Sequence, residues 1–174
     1  MDEKIRVMIS EAEIDKRIAE LGKQISQDLA GEEVVAIGIL RGGAFFCTEL
    51  TKRITVPVII DFIEASSYGD GTTSSGTVSI TKDLIEDISG KNVLVIEDII
   101  DTGNTLSRLV AELQKRGPKV LKVCTLLDKP ERRVVHMDVD YNGFQIPDKF
   151  VVGYGMDYAQ RYRNLPYIGV LDSM

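Results

Sequence analysis

Four short runs of mostly apolar residues recur along the chain: VVAIGIL at 34–40, PVIIDFI at 57–63, NVLVI at 92–96 and KVLKVCTLL at 119–127. Each is long enough for a strand and too short for an independent helix. A nearly continuous apolar run is what a strand buried on both faces requires. Both faces must then be covered, and helical patterns stand ready to do so. Ser10 and Glu13 form a capping box, after which Ile14, Ile18, Leu21, Ile25 and Leu29 recur at spacings of three and four until Gly31 closes the helix. A second helix is expected from about Ala44 to Arg53, once RGG at 41–43 has broken the first strand. A third carries Leu106, Leu109, Val110 and Leu113 and ends at Gly117-Pro118. Strand, loop, helix and strand in this order predict an α/β fold of right-handed βαβ units, with an open, mainly parallel twisted sheet flanked by helices.

At 174 residues and 44% hydrophobic content the chain suits one domain with a sizeable core. The core is expected over about 10–128 and 165–171. A small hood of strands and loops over the sheet's edge is expected over about 129–164, with strand candidates at FVVGY (150–154) and YIGVL (167–171). No apolar stretch approaches the roughly 20 residues that span a bilayer, and MDEKIRVMIS is too charged for a secretory signal, so a cytoplasmic protein without a membrane partner is expected. The net charge of −6 argues against a nucleic-acid surface, which needs excess Lys and Arg along one face. Cys47 and Cys124 sit in apolar surroundings at no metal-like spacing and read as small buried packing residues. His136 has no acidic or Ser partner at a catalytic spacing and is expected to line a loop.

Two stretches do not read as scaffold. EASSYGDGTTSSGT (64–77) is rich in Gly, Ser and Thr, and a loop of this length inside a compact domain is either an active-site lid or a disordered insertion. The other is VLVIEDIIDTGNT (93–105), where an apolar run ends in Glu97, Asp98 and Asp101. In open α/β sheets ligands sit outside the carboxyl ends of the strands. Thr102, Gly103, Asn104 and Thr105 are expected to precede a helix there, so backbone N–H groups and two hydroxyls can surround a phosphate. Glu97 and Asp98 would repel a phosphate, but neighbouring carboxylates suit the vicinal hydroxyls of a ribose and nearby positive charge. Together they point to a ribose 5-phosphate. The chain has neither a P-loop nor a GxGxxG fingerprint.

VLVIEDIIDTGNTL resembles the phosphoribosyl pyrophosphate signature of the type I phosphoribosyltransferases, and further segments resemble the hypoxanthine-guanine phosphoribosyltransferases in particular. LRGG (40–43) is similar to their pyrophosphate loop, SYG (67–69) to the lid, and LLDKP (126–130) to the segment whose Lys reads the purine 6-oxo group. PDKFVVGYGMDYAQRYRNLPYIGVL (147–171) resembles their base-binding hood, so the match runs in order over nearly the whole chain after the first helix.

The resemblance implies transfer of the phosphoribosyl group from phosphoribosyl pyrophosphate to N9 of hypoxanthine or guanine, giving IMP or GMP in purine salvage. It implies Asp101 as the general base at purine N7, against the alternative that Asp101 only caps the following helix. Glu97, Asp98 and the segment from Asp101 to Thr105 would hold the ribose phosphate, and Arg41, Gly42 and Arg163 the pyrophosphate. Ser67 and Tyr68 would close a lid. Lys129, Phe150, Val151 and Asp157 would bind the purine, Phe150 by stacking, although an isolated Phe in FVV more often packs in a core. Mg²⁺ is implied at Glu97, Asp98 and Asp157, where a surface salt bridge is the plainer reading of Asp157 and Arg163. A homodimer or homotetramer with the Arg41 loop near an interface is implied, and in relatives the peptide equivalent to Leu40–Arg41 can be cis. The rival readings are a transferase for xanthine or another base, and a phosphoribosyl-pyrophosphate-sensing regulator that kept the fold.

Overall fold

A computed structural model describes residues 4–67 and 78–172. Its elements in order are β1 (Lys4–Ile9), α1 (Glu11–Asp28), β2 (Val34–Leu40), α2 (Gly43–Thr51), β3 (Val58–Ser67), β4 (Val78–Lys82), β5 (Asn92–Ile100), α3 (Asn104–Gln114), β6 (Val120–Asp128), the 3₁₀ turn η1 (Pro130–Arg132), β7 (Tyr141–Gln145), β8 (Val151–Val152) and β9 (Ile168–Asp172). The larger sheet has the order β4-β3-β2-β5-β6-β7 and the smaller the order β1-β9-β8. In the larger sheet only the β3–β4 pair is antiparallel. The expected mainly parallel α/β sheet is therefore present.

The runs of β2 and β5 are buried on both faces as their composition requires, whereas β3 leaves Ile60 exposed. Val34 and Ala36 of β2 pack with Ile14, Ile18 and Leu21 of α1 and Phe46 and Leu50 of α2. The alternate residues Val35, Ile37 and Ile39 join Leu106, Leu109 and Leu113 of α3 on the other face. Helix α1 starts where its capping box says it should: Glu13 N–H donates to Ser10 Oγ at 3.3 Å, and Ser10 N–H donates to Glu13 Oε2 at 2.8 Å. Cys47 and Cys124 are free and fully buried, and burial pushes the Cys47 thiol up to about 12. Among the described residues no helix is long and apolar enough to cross a membrane.

Several elements differ from the sequence expectations. β1 arises from KIRVMI, whose alternating charges disguise an edge strand, and β7 from YNGFQ, which lacks an apolar run because it too lies at an edge. The boundary expected between core and hood does not follow the sheets. β7 lies within 129–164 yet belongs to the larger sheet, while β9, placed in the core, is the middle strand of the smaller one. Residues 64–67, expected in a loop, continue β3 and pair with β4, Ala65 opposite Ile80. Residues 68–77 lie outside the described residues. His136 lies 3.4 Å from Asp138, both side chains over nine-tenths exposed, so it has a surface acidic neighbour the sequence did not suggest.

The strand order places the site. The chain leaves β2 toward β3 on one side, and β5 returns on the other, so the β2–β5 boundary is a topological switch point. Pairing between them stops at Gly38 and Ile96, whereas β5 continues beside β6 to Ile100 opposite Asp128. A crevice opens at the carboxyl ends of these two strands.

Candidate active site

Glu97 and Asp98 lie within β5, on the stretch that outruns β2. The turn after β2 rests directly on them. A Cβ on Gly42 would lie 1.8 Å from Asp98 Oδ2, and one on Gly43 would lie 3.5 Å from Glu97 Oε1. Gly155, at φ +97, packs on Gly42 from the other side, where a Cβ would reach Gly42 O at 2.0 Å. Only glycine permits this stack of backbone on carboxylate. The Leu40–Arg41 peptide leading into it is cis.

Burial, and then the adjacent Asp98 charge, pushes the Glu97 carboxyl well above the usual range. Burial raises Asp98 too, opposed by hydrogen bonds from the Glu97 side chain and the Ile99 N–H and by the nearby Arg163 guanidinium. Two such carboxylates favour a proton or a cation beside them.

Beyond β5, Gly103 at φ +84 is the N-cap of α3, so Asn104 and Thr105 form the helix's first turn and do not precede it. Asp101 is therefore not the cap. No side chain caps this helix, although Asn104 N–H approaches Thr102 Oγ1 at 3.3 Å. Such an N-terminus suits an anion. Thr102 O accepts from Val134 N–H and Val135 N–H at 2.9 and 3.1 Å, which fixes the back of the loop.

A cleft of about 360 Å³ gathers Asp98, Asp101, Lys129, Phe150, Val151 and Asp157, six residues expected at the site. Ile99, Arg132, Asp148 and Met156 complete its lining. Phe150 is 53% exposed and meets Tyr158 edge-on, with centroids 5.8 Å apart, so it is not a core residue. Lys129 is only 7% exposed, and its ammonium makes no hydrogen bond among the described residues; the nearest carboxylate, Asp148, is 3.9 Å away. A largely buried lysine whose ammonium opens onto the cleft without a hydrogen-bonded partner is poised for a ligand's acceptor. Asp101 Oδ1 receives Arg132 Nε at 2.9 Å.

Arg41 and Arg163 lie outside the lining of that cleft but close to each other. Arg41 Nη1 and Arg163 Nη2 donate to the same acceptor, Gln160 Oε1, at 3.3 and 3.2 Å. Arg163 also pairs with Asp157 at 3.0 Å, so the salt bridge exists alongside the placement of Asp157 in the cleft. Around them Tyr154, Ala159, Gln160 and Tyr162 all adopt positive φ, a clustering of strained backbone typical of ligand-binding loops. Ser67 is the last described residue of β3, and Tyr68 lies outside the described residues.

Sequence reasoning missed Arg132, Asp148 and Gln160. The first two sit in alternating-charge stretches, KPERR and PDK, that offered a signal; Gln160 offered none. For a divalent cation the donor chemistry fits. The described residues hold no cluster of three or more His, Cys, Asp or Glu, but a hard cation commonly takes one or two carboxylates and completes its shell with substrate oxygens. The half-buried Glu97, the buried Asp98 and Asp157 at the cleft provide such carboxylates.

The sequence matches the phosphoribosyl transferase domain family over residues 10–159. It is 56% identical over 171 residues to a hypoxanthine phosphoribosyltransferase of Salmonella typhimurium, covering 97% of this chain and 96% of that protein. It is 55% identical to the Escherichia coli protein of the same name, with the same coverage. Among solved structures, a hypoxanthine-guanine phosphoribosyltransferase from Bacillus anthracis superposes with a TM-score of 0.93 at 49% identity, covering 98% of this chain and all of that one. With the acid-bearing strand end, the uncapped helix and the cleft in the order those motifs demand, the chain belongs to the phosphoribosyl transferase family, as a member of its hypoxanthine phosphoribosyltransferase branch.

Proposed function

We propose that the chain transfers the 5-phosphoribosyl group from phosphoribosyl pyrophosphate to N9 of hypoxanthine or guanine, producing IMP or GMP and pyrophosphate for purine salvage. The observation that carries this reading is Lys129, its stem buried and its ammonium open to the cleft without a hydrogen-bond partner among the described residues, beside the half-exposed face of Phe150. A 6-oxopurine stacked on Phe150 would offer its oxo group to Lys129, whereas a 6-amino group would set donors against donors. Val151 and the backbone of Asp157 would face the opposite, N1 side of the base.

The ribose 5-phosphate would sit on the loop from Thr102 to Thr105, with Glu97 and Asp98 on the 2- and 3-hydroxyls, and pyrophosphate between Gly42, Arg41 and Arg163. As the C1–oxygen bond to pyrophosphate breaks and the C1–N9 bond forms, positive charge develops on the sugar. The carboxylates of β5 stabilise it electrostatically. The N7 proton passes to Asp101, help worth roughly 10²- to 10⁴-fold. Mg²⁺, held by Glu97, Asp98 or Asp157 with substrate oxygens, would neutralise the phosphate charge when bound.

A lid bearing Ser67 and Tyr68 would keep water from the reactive sugar. The working unit would be one domain over 1–174, assembled as a homodimer or homotetramer in the cytoplasm. The test is nucleotide formation from phosphoribosyl pyrophosphate and Mg²⁺ with hypoxanthine, guanine, xanthine and uracil, alongside Asp101→Ala. Turnover of the first two that collapses in the variant supports the reading; a folded protein that turns over no base would be a ligand-sensing regulator instead.

A further inference from the structure

Four side chains at the cleft alternate in sign. Lys129 Nζ lies 3.9 Å from Asp148 Oδ1, Asp148 Oδ2 lies 3.8 Å from Arg132 Nη1, and Arg132 Nε lies 2.9 Å from Asp101 Oδ1. All four line the same cavity. The two ends of this chain are the groups assigned to the purine, and the two middle members have no role in the proposed reaction. The 6-oxo group and N7 lie on one edge of the purine, so in the N7–H tautomer an acceptor stands beside a donor. A cation and an anion held at a fixed separation are the complement of that edge.

The backbones behind these side chains are already fixed. Lys129 N–H donates to Ile100 O at 3.0 Å, and Ile100 is the neighbour of Asp101. Arg132 N–H donates to Lys129 O at 3.1 Å across the 3₁₀ turn that Pro130 opens. What remains free is the direction of the carboxylate and the ammonium. Arg132 engages only Oδ1 of Asp101, and among the described residues Oδ2 has no hydrogen bond. One oxygen is anchored and the other is open to a donor from the base.

We propose that Arg132 and Asp148 are positioning residues of the base subsite, Arg132 orienting Asp101 toward the N7–H and Asp148 orienting Lys129 toward the 6-oxo group. This rests on the transferase reading above. The pair acts through other residues and touches neither the ribose nor the pyrophosphate. Its removal therefore changes how the enzyme tells purine edges apart and leaves phosphoribosyl pyrophosphate binding alone.

The experiment compares inhibition constants of 9-deazahypoxanthine, which keeps a proton on N7, and 7-deazahypoxanthine, which has a CH there; both keep the 6-oxo group. The wild type should prefer the first. In Arg132→Leu the preference should fall about 10-fold, the scale of a lost hydrogen bond to a charged group, with the KM for phosphoribosyl pyrophosphate unchanged. Arg132→Lys should recover part of it. Asp148→Asn should weaken both inhibitors and change their ratio less than Arg132→Leu does, since it acts at the oxo end that they share and reaches Asp101 only through Arg132. An unchanged ratio in a folded Arg132→Leu, or a ratio in Asp148→Asn that changes as much as in Arg132→Leu, overturns the proposal while the transferase reading stands. A wild type that forms no IMP from hypoxanthine removes that reading, and the inference with it.

Discussion

Gly42 lies against Asp98 so closely that a Cβ added to it would sit 1.8 Å from the carboxylate's Oδ2. The turn after β2 and the acid of β5 are thus one rigid unit, because Asp98 is buried and its Oδ1 accepts the Ile99 N–H at 2.6 Å. Gly42→Ala must displace either the turn or the carboxylate. Since misplacing reacting groups by about 1 Å costs on the order of 10²-fold, turnover should fall by at least that much in a variant that still folds. Steady-state kinetics with a thermal melt would check it, and near-normal turnover would show that the turn yields easily.

Phe150 separates function from stability. Its ring is 53% exposed, so Phe150→Ala removes little buried surface and should lower the melting temperature by only a few degrees. Stacking on a base is worth about 1–3 kcal/mol, so the KM for hypoxanthine should rise roughly 10-fold or more. A large loss of stability with an unchanged KM would place the ring in the core after all.

For Lys129 the expectation is specific to one substrate. Lys129→Met removes the ammonium that opens onto the cleft, and the base should lose about 1.5–3 kcal/mol of binding, the range for a hydrogen bond to a charged group. Phosphoribosyl pyrophosphate binding should be unaffected. Titration calorimetry with each substrate distinguishes the two, and equal losses would assign Lys129 a purely structural role.

Asp61 supplies a dependence on pH. It is buried in β3 and accepts N–H bonds from Phe62, Ile85 and Glu86 at 2.7, 2.7 and 2.9 Å, with Lys82 Nζ 3.8 Å away. Burial alone would raise its pKa, but the three hydrogen bonds and the lysine outweigh it and hold the carboxyl below the usual range. A folded pKa below the unfolded one gives stability that is present above the unfolded value of about 3.9 and is lost as pH falls through the folded pKa. Asp61→Asn should therefore cost about 2 kcal/mol at neutral pH, with the gap to wild type closing below about pH 4. Denaturant melts at both pH values would show it, and equal deficits at each would argue against an ionised Asp61.

The parallel strands were legible because burial on both faces leaves an uninterrupted apolar run, as in VVAIGIL, and α1 because its capping box and apolar spacing agree. β1 and β7 were not, since edge strands bury only part of their side chains and KIRVMI reads as charged. At the site, Glu97, Asp98 and Asp101 announced themselves as acids where a strand should stay apolar. Arg132, Asp148 and Gln160 matter through partners up to 119 positions away in sequence, and pairings of that range leave no local pattern.

The order β1-β9-β8 has a consequence for biosynthesis. The larger sheet holds all its strands once Gln145 has been made, but neither β1 nor β8 has a partner until Ile168–Asp172 leaves the ribosome. Val151, on the wall of the base cleft, waits for Val170, its neighbour across that sheet. A nascent chain can thus build its scaffold early, while the purine subsite is expected to appear among the last features, which base binding by ribosome-stalled chains ending before and after β9 would reveal.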